Sequence, residues 1–502
     1  MELARAFSTM AADLPAIFSM IVVSVVGLVM LTVAAFRSDH PSIPWLGVAG
    51  MVVASAWELF QLGTEPGTAF FGAIRVGGYA AFINLLVLLA GIATTILSVP
   101  YLHRLKHDYG EVYALLMYAT VGMILLGSSN SMVSIFVGLE TMSVCLYVLA
   151  GLIREDEGAV EAALKYFLLG AFSTGFFLYG IALMYGATGT MYLPAMAQAD
   201  LATAGGTLLF WAGVALFLIG FLFKVSAAPF HMWTPDVYQG SPTPLTGYMS
   251  TASKAAAFGS LILVLYYALP AERWTLVLAV VAVITMVVGN VMALSQANVK
   301  RMLAYSSIAH AGYILVALAA GTEAAFAGAL FYLLVYTVMN IGAFGVMALL
   351  EWDGREGRVQ TLDSLAGIGT DRPVLGVTMV VFMFSLTGFP PFGGFFGKYA
   401  VFAPAVDAGL TWLVLIGVLM SAVSGYYYLR VVYVFWMQDR DDVVDARQAS
   451  LGGLPPVSRT SQGVLVVCAV GLVAMAFFSG GLIEAATGFF DASAMAAAGG
   501  GG

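Results

Sequence analysis

The sequence predicts an all-α polytopic membrane protein of about 14 transmembrane helices, and three observations carry that prediction. Apolar windows of membrane-spanning length recur from one end of the chain to the other; 61% of the 502 residues are hydrophobic and only 10% are Asp, Glu, Lys or Arg; and the charges outside the windows segregate into alternate loops. A soluble domain carries about 25% charged residues, whereas a hydrocarbon core about 30 Å thick needs roughly 20 apolar residues per helix. With 20 Lys and Arg against 28 Asp and Glu, a net charge of −8, the chain lacks the basic footprint of a nucleic-acid binder. The lipid bilayer is its expected surroundings, and no nucleic acid is an expected partner.

The windows cover 15–36, 43–62, 77–98, 112–128, 131–153, 160–186, 207–230, 245–269, 274–294, 300–320, 325–350, 373–405, 409–437 and 461–486. The first follows Glu2, is too long for a signal-peptide core and lacks a small-residue cleavage site, so it is expected to stay in the mature protein. Cytoplasmic loops are enriched in Lys and Arg. One set of alternate loops holds Arg37, Arg104, Lys106, Arg154, Lys300, Arg301, Arg355, Arg358, Arg372, Arg440, Arg447 and Arg459; the other holds Arg5, Arg75 and Arg273. The first set is therefore cytoplasmic, and an even number of spans puts both termini in the periplasm. The few Lys beside many Ala and Gly fit a GC-rich bacterial genome, hence a bacterial plasma (inner) membrane. The tail Ala496–Gly502 is Ala/Gly low complexity and is expected to be disordered.

Two windows contain helix breakers. In the seventh, Lys224-Val-Ser-Ala-Ala-Pro229-Phe-His231 places a proline where it removes a helical hydrogen bond and kinks the rod. In the twelfth, Leu386-Thr-Gly388-Phe-Pro390-Pro391-Phe-Gly393-Gly394-Phe-Phe-Gly397-Lys398 is too rich in Gly and Pro to stay helical. Interrupted helices at corresponding places in two halves point to a transport site built from an internal repeat. These two lie five spans apart, and an odd displacement reverses orientation in the membrane. Spans 4–8 and 9–13 are therefore expected to be inverted five-helix repeats. The chain then divides into an N-terminal three-helix segment (1–111), a first repeat carrying a proton half-channel (112–269), a second repeat (270–437), and a final loop, helix and tail (438–502).

A charge in mid-helix costs about 2.5 to 3.5 kcal/mol on insertion scales, so intramembrane ionisable residues are functional candidates. Lys224, Lys254 and Lys398 sit well inside spans; Lys254 lies ten residues past Pro244, about 15 Å of helix. Lys165 is five residues into the sixth span, where its stem could also reach the interface. Glu140 is nine residues into the fifth and is the natural anion for a buried lysine, forming a pair that protonation can toggle. His310 follows Tyr305-Ser-Ser307, and His231 follows Pro229; either could relay protons near neutral pH. Lys398 falls four residues past Gly394, about one turn into a second half-helix and near its positive end.

Other patterns read as structure. His103 and His107 have zinc-helix spacing but flank Arg104 and Lys106 in a basic loop, which suits a solvated face. Gly393 to Lys398 is too short for a phosphate loop, and Tyr399 stands where Ser or Thr would be needed. Cys145 and Cys468 lie apart in apolar runs, so no thiolate cluster can be built from them. The 25 Met and 33 Phe read as bundle filler and interface belt.

The stretch Phe223-Lys224-Val-Ser-Ala-Ala-Pro229-Phe-His231-Met-Trp233-Thr-Pro235-Asp236-Val-Tyr238-Gln-Gly240-Ser-Pro242-Thr-Pro244 resembles the signature of the subunit N family of proton-pumping NADH:quinone oxidoreductase, respiratory complex I. Asn298-Val-Lys300-Arg301-Met-Leu-Ala-Tyr305-Ser-Ser307-Ile-Ala-His310-Ala-Gly312 and the Gly388 to Lys398 stretch are similar to that family too. Sister antiporter-like subunits usually read closer to histidine-threonine-tryptophan-leucine-proline-aspartate-alanine-histidine in that place, where this chain has Met232-Trp233-Thr234-Pro235-Asp236-Val237-Tyr238 instead. The resemblance implies a fourteen-helix fold with two inverted repeats, and a coupled pair of Glu140 and Lys224. It also implies that Lys254 is the central proton-carrying lysine, that Lys398 is the lysine of the second broken helix, and that His231 and His310 are members of the axis between them. Lys165 is expected as a supporting member of that relay, beside the alternative of a lysine that only reaches the interface. It further implies no cofactor in this subunit: quinone, NADH, flavin and iron–sulfur clusters would belong to the rest of the complex. The partners would be other membrane subunits of complex I, including the sister antiporter-like ones. Two alternatives stand beside it: a subunit of a multisubunit cation/proton antiporter, and a subunit of a ferredoxin-fed plastid-type complex.

Overall fold

The computed structural model describes residues 9–37, 40–201, 204–351, 361–439 and 456–490. Among them, 13 helices are long and apolar enough to cross a membrane, from Leu14–Phe36 to Arg459–Phe477. The twelfth window divides into two shorter helices, Pro373–Thr387 and Gly393–Asp407, and the pair that together is long and apolar enough for a further span is Asp363–Asp371 with Pro373–Thr387, bent by 117°. The Ala/Gly tail and the loop residues Arg5, Arg355, Arg358, Arg440 and Arg447 lie outside the described residues.

Spans 8 and 10, Thr243–Tyr267 and Val299–Ala320, are wholly enclosed by the others, and span 11, Glu323–Leu350, nearly so. Their sequences explain the position. Thr-Ala-Ser-Lys254-Ala-Ala-Ala and Ser-Ser307-Ile-Ala-His310-Ala-Gly offer small side chains on every face, which let neighbouring backbones approach closely within lipid.

Packing partners recur at a displacement of five spans: 4 lies on 5 as 9 lies on 10, 6 on 7 as 11 on 12, and 8 on 4 as 13 on 9. Glycine makes the closest of these contacts possible. A Cβ on Gly122 would lie 2.4 Å from the Met142 nitrogen across spans 4 and 5, and one on Gly289 would lie 2.5 Å from the Ala309 nitrogen across spans 9 and 10. Alanine at either place would force the helices apart.

Both broken spans end in the same cap. Span 7, Ala204–Lys224, stops five residues short of Pro229 instead of kinking at it. Ser226 turns left-handed (φ 62°); its N–H bonds the Phe223 carbonyl (3.1 Å), and Ala227 N–H bonds that of Leu222 (2.8 Å). In span 12, Gly388 (φ 84°) bonds Ser385 (3.0 Å) and Phe389 bonds Phe384 (3.0 Å). This Schellman pairing satisfies carbonyls that lipid could not. Aligned on it, Ser226 matches Gly388, Pro229 matches Pro391, and Lys398 is matched by Asp236.

Several sequence expectations need correction. The third helix runs on to Leu105, past the window's end at 98, so Arg104 sits in its last turn and donates to the Ala348 (2.6 Å) and Leu349 (3.2 Å) carbonyls at the end of span 11. The last window, 461–486, divides into Arg459–Phe477 and Ser479–Gly488; the second piece delivers Phe489 and Phe490 onto Phe82 (5.8 Å) and Tyr79 (5.6 Å). Lys300, assigned to a cytoplasmic loop, is a fully buried first-turn residue of span 10 that donates to the Ser241 carbonyl (2.7 Å). Arg75 is buried too. It lies on a hairpin of β1 (Gly67–Ala69) and β2 (Ile74–Val76), opposite Thr68, and donates to Tyr267 (2.6 Å) and Asn130 (3.0 Å). Glu58 is an intramembrane carboxylate that the sequence reading passed over; it ties the first three spans by accepting from Ser19 and from Asn84 (3.2 Å). Each of these charges is tolerated inside because a specific polar partner meets it.

Candidate functional site

Three wholly or largely enclosed helices bring the central polar groups together. Lys254, buried in the middle of span 8, donates from Nζ to the Ser307 hydroxyl (2.6 Å) and carbonyl (2.9 Å) on span 10. Tyr336 of span 11 donates to the same hydroxyl (2.7 Å). Its ring lies 5.3 Å from that of His310, one turn above Ser307. His310 is fully enclosed, with Nδ1 on the Tyr332 hydroxyl (2.5 Å) and Nε2 on the Tyr428 hydroxyl (3.0 Å). Tyr428 also bonds Ser306. The Tyr313 ring stands 5.5 Å from His310 and beneath Lys398, whose ammonium is 5.0 Å from its centroid. Protonatable and hydroxyl-bearing side chains thus run from Lys254 to Lys398 as two hydrogen-bonded groups, Lys254–Ser307–Tyr336 and Tyr332–His310–Tyr428–Ser306, linked to each other and to Lys398 by ring contacts.

Lys398 occupies its place by reaching backwards. It sits in the early turns of Gly393–Asp407, but its ammonium crosses the break to the carbonyls of Leu386 (3.1 Å) and Thr387 (2.8 Å) and to the Ser421 hydroxyl (2.7 Å). It therefore lies at the negative end of the first half-helix and not at the positive end of the second, contrary to the sequence argument. Gly388 leaves room for its stem: a Cβ there would be 2.9 Å from Cδ. A cavity beside it, lined by Phe395, Tyr399, Phe402, Asp407 and Val418, opens on the side of the bundle.

The first half is arranged differently. Glu140 accepts from the Thr174 hydroxyl (2.8 Å) on span 6, and among the described residues it forms no ion pair. Lys224 is buried with no hydrogen-bond partner at Nζ, and it faces the rings of Tyr147 (5.2 Å) and Tyr166 (5.4 Å). Glu140 and Lys224 are thus brought into one neighbourhood without touching. From Tyr166 the aromatic contacts continue to Trp233 (4.5 Å) and Tyr238 (6.0 Å), whose buried hydroxyl also has no hydrogen-bond partner. His231 lies in the turn after the break, half-exposed and outside the chain that links Lys254 to Lys398.

Lys165 stands at the end of span 6, 41% exposed, bonded to Asp236 (2.5 Å) and Glu161 (2.6 Å). Asp236 also accepts from Arg301 (2.7 Å) of span 10, so the short helix Trp233–Gly240 is tied to both repeats. Partial burial would push the Asp236 carboxyl up, but Lys165 and Arg301 on either side hold it below the usual carboxylate range.

Sequence reasoning singled out the charged residues and passed over the tyrosines. The signal was present: Tyr332 and Tyr336 are spaced i, i+4 on span 11, one hydroxyl-bearing face of a helix buried on all sides. Among the described residues no three His, Cys, Asp or Glu side chains come together as a metal site.

Comparison with known proteins follows the same lines. A family model described as NADH:quinone oxidoreductase/Mrp antiporter, TM, matches residues 129–424. The chain is 70% identical over 498 residues to a NADH-quinone oxidoreductase subunit N from Salinibacter ruber, covering 99% of this chain and 100% of that one. A chain of respiratory complex I from Thermus thermophilus with bound aureothin superposes with a TM-score of 0.79 at 35% identity, over 93% of this chain and 98% of that one. A chain of the Mrp complex from Dietzia shares the fold, with a TM-score of 0.77 at 20% identity over 98% of both.

Proposed function

Because this chain belongs to the NADH-quinone oxidoreductase subunit N family, as a membrane-arm, antiporter-like subunit of a bacterial complex I, we propose that its buried residues carry protons across the membrane while other subunits supply the redox energy. The observation that supports this best is the sequence of two hydrogen-bonded groups, Lys254–Ser307–Tyr336 and Tyr332–His310–Tyr428, set side by side through ring contacts with Tyr313 and Lys398 at the far end. A static scaffold has no use for two buried lysines joined by hydroxyls and an imidazole, since a charge there costs several kcal/mol and apolar packing would serve better.

On this reading Lys254 takes up a proton midway through the membrane. Its lone pair or proton is presented to the Ser307 hydroxyl, and the hydroxyls of Tyr336, Tyr332 and Tyr428 reorient so that the His310 ring can accept on one nitrogen and donate from the other. Lys398, in the outer half, receives the proton. Glu140 sets the charge of Lys224, which gates entry from the first repeat. Lys165 acts by positioning, through Asp236, the short helix that precedes span 8. The two repeats, 112–269 and 270–437, then serve as entry and exit halves, both termini lie in the periplasm, and flavin, iron–sulfur, nucleotide and quinone sites belong to neighbouring subunits.

The test is Lys254→Met in the assembled complex, scored by NADH-driven proton pumping into vesicles. Methionine keeps the length and burial of the stem and removes the titrating group. The expected outcome is normal assembly with pumping lost; pumping at the wild-type rate would refute the role.

A further inference from the structure

Lys224 presents a problem that its proposed pairing with Glu140 does not solve. An ammonium group removed from water without an acceptor is costly, yet Nζ is buried and has no hydrogen-bond partner. What it does have is a corner of two aromatic faces. The Tyr147 and Tyr166 rings meet edge to face (4.6 Å, 87°), with Nζ 5.2 and 5.4 Å from their centroids. Both distances lie within the roughly 6 Å over which a ring quadrupole attracts a cation.

Building on the reading of Lys224 as a proton carrier, we propose that Tyr147 and Tyr166 form an aromatic cage that holds the charged Lys224 side chain as an alternative to Glu140, giving the lysine two seats. Tyr147 follows Glu140 by seven residues, so carboxylate and cage lie two turns apart on one edge of span 5, about 10 Å along the axis. A single lysine side chain pivoting on its stem serves both. Held on the rings, it is withdrawn from the carboxylate and turned toward Trp233 and Tyr238, the side on which span 8 lies.

The cage is built with some care. Tyr147 can occupy its place only because residue 170 is glycine: a Cβ there would lie 2.1 Å from the phenol oxygen and 2.7 Å from Cζ. Tyr166 is stacked on Trp233 (4.5 Å, 8°), and Trp233 donates through Nε1 to the carbonyl of Phe223 (3.0 Å), the residue before the lysine. The rear wall of the cage is therefore fastened to the helix break itself. Any movement of the break shifts lysine and rings together, and the choice between seats is left to the charge on Glu140.

A cation–π seat has a signature that packing does not. In the assembled complex, position 147 is filled with phenylalanine and then with its mono-, di- and trifluorinated forms, which keep the ring's shape while draining negative potential from its face. With the Tyr147→Phe complex as reference, NADH-driven pumping is expected to fall stepwise with each fluorine, reaching roughly a tenfold loss at three. A flat response across the series would overturn the cage. Lys224→Met, measured alongside, separates the two ideas: full pumping there would remove Lys224 from the proton path altogether, whereas lost pumping with a flat fluorine series would remove the cage alone.

Discussion

The two broken spans begin alike and end in opposite arrangements. Each first half-helix closes with the same pair of backbone hydrogen bonds, at Ser226 in span 7 and at Gly388 in span 12, and each carries a proline three residues later. The lysines then diverge. Lys224 precedes its cap by two residues and rests on aromatic faces, whereas Lys398 follows its cap by ten and is held by three oxygens, two of them the carbonyls that end the helix. In the first repeat the position matching Lys398 is Asp236, fixed between Lys165 and Arg301. Lys254 is joined to Lys398 by hydrogen bonds and ring contacts, while between Lys224 and Lys254 the line passes Trp233 and a tyrosine without a hydrogen-bond partner. One fold used twice thus yields a loosely held cation and a tightly held one. On the proposed reading the first repeat gates and the second conducts.

The sharpest way to break this contrast is to cut the conducting side. His310→Phe keeps a ring of similar size between Tyr332 and Tyr428 but removes both nitrogens, and proton transfer through it should fall by roughly 10²-fold, as when a positioned acid–base group is lost. Pumping assays on the assembled complex would show it; an unimpaired variant would mean that the line is bypassed. Next comes Glu140→Gln on the gating side. Because Glu140 is not in contact with Lys224, the penalty of about 3 to 5 kcal/mol for stranding a buried partner does not apply, and the amide oxygen can still accept from Thr174. Native gels should show intact complex while pumping falls severalfold; loss of assembled complex would instead mark the pair as a static brace.

Tyr332→Phe removes one hydroxyl from His310 and leaves Tyr428 in place. The expected cost is about 1 kcal/mol, seen as a slower pumping rate of roughly fivefold. Asp236→Asn should do least. Its carboxyl is held below the usual range, so the tie it makes to Lys165 and Arg301 is complete at neutral pH and is lost only as pH falls through that depressed range, below about 4. Partly exposed as it is, the tie should contribute about 1 kcal/mol or less, read as a small drop in thermal stability at pH 7 with pumping nearly unchanged. A strong pumping defect would make Asp236 a carrier like its counterpart Lys398.

Much of this was legible in the sequence, and what was not has physical causes. Span number, the two interruptions and the five-span displacement follow from hydropathy and from Gly and Pro, which act locally. Lys224, Lys254, Lys398, Glu140 and His310 stood out because charge in lipid is conspicuous. Tyr147 and Tyr336 did not, since a phenol is apolar enough to pass as packing and shows its function only when the hydroxyl or the face meets a partner. Lys300 and Arg75 were misplaced for the opposite reason: a charge at the edge of an apolar window looks solvated, and only the tertiary fold reveals that Ser241, or Asn130 and Tyr267, close over it. Nor could sequence show that Lys398 reaches back across its break, because that depends on the angle between two half-helices.

On the proposed reading the second repeat moves protons through Lys398 itself and does not merely hold a positive charge at the end of a half-helix. Lys398→Arg tests it most directly. Arginine keeps the charge and can still reach the carbonyls of Leu386 and Thr387, but it stays protonated at every accessible pH. The account predicts an assembled complex that oxidises NADH poorly and pumps few or no protons, like Lys398→Ala. Pumping at the wild-type rate in the arginine variant would contradict it.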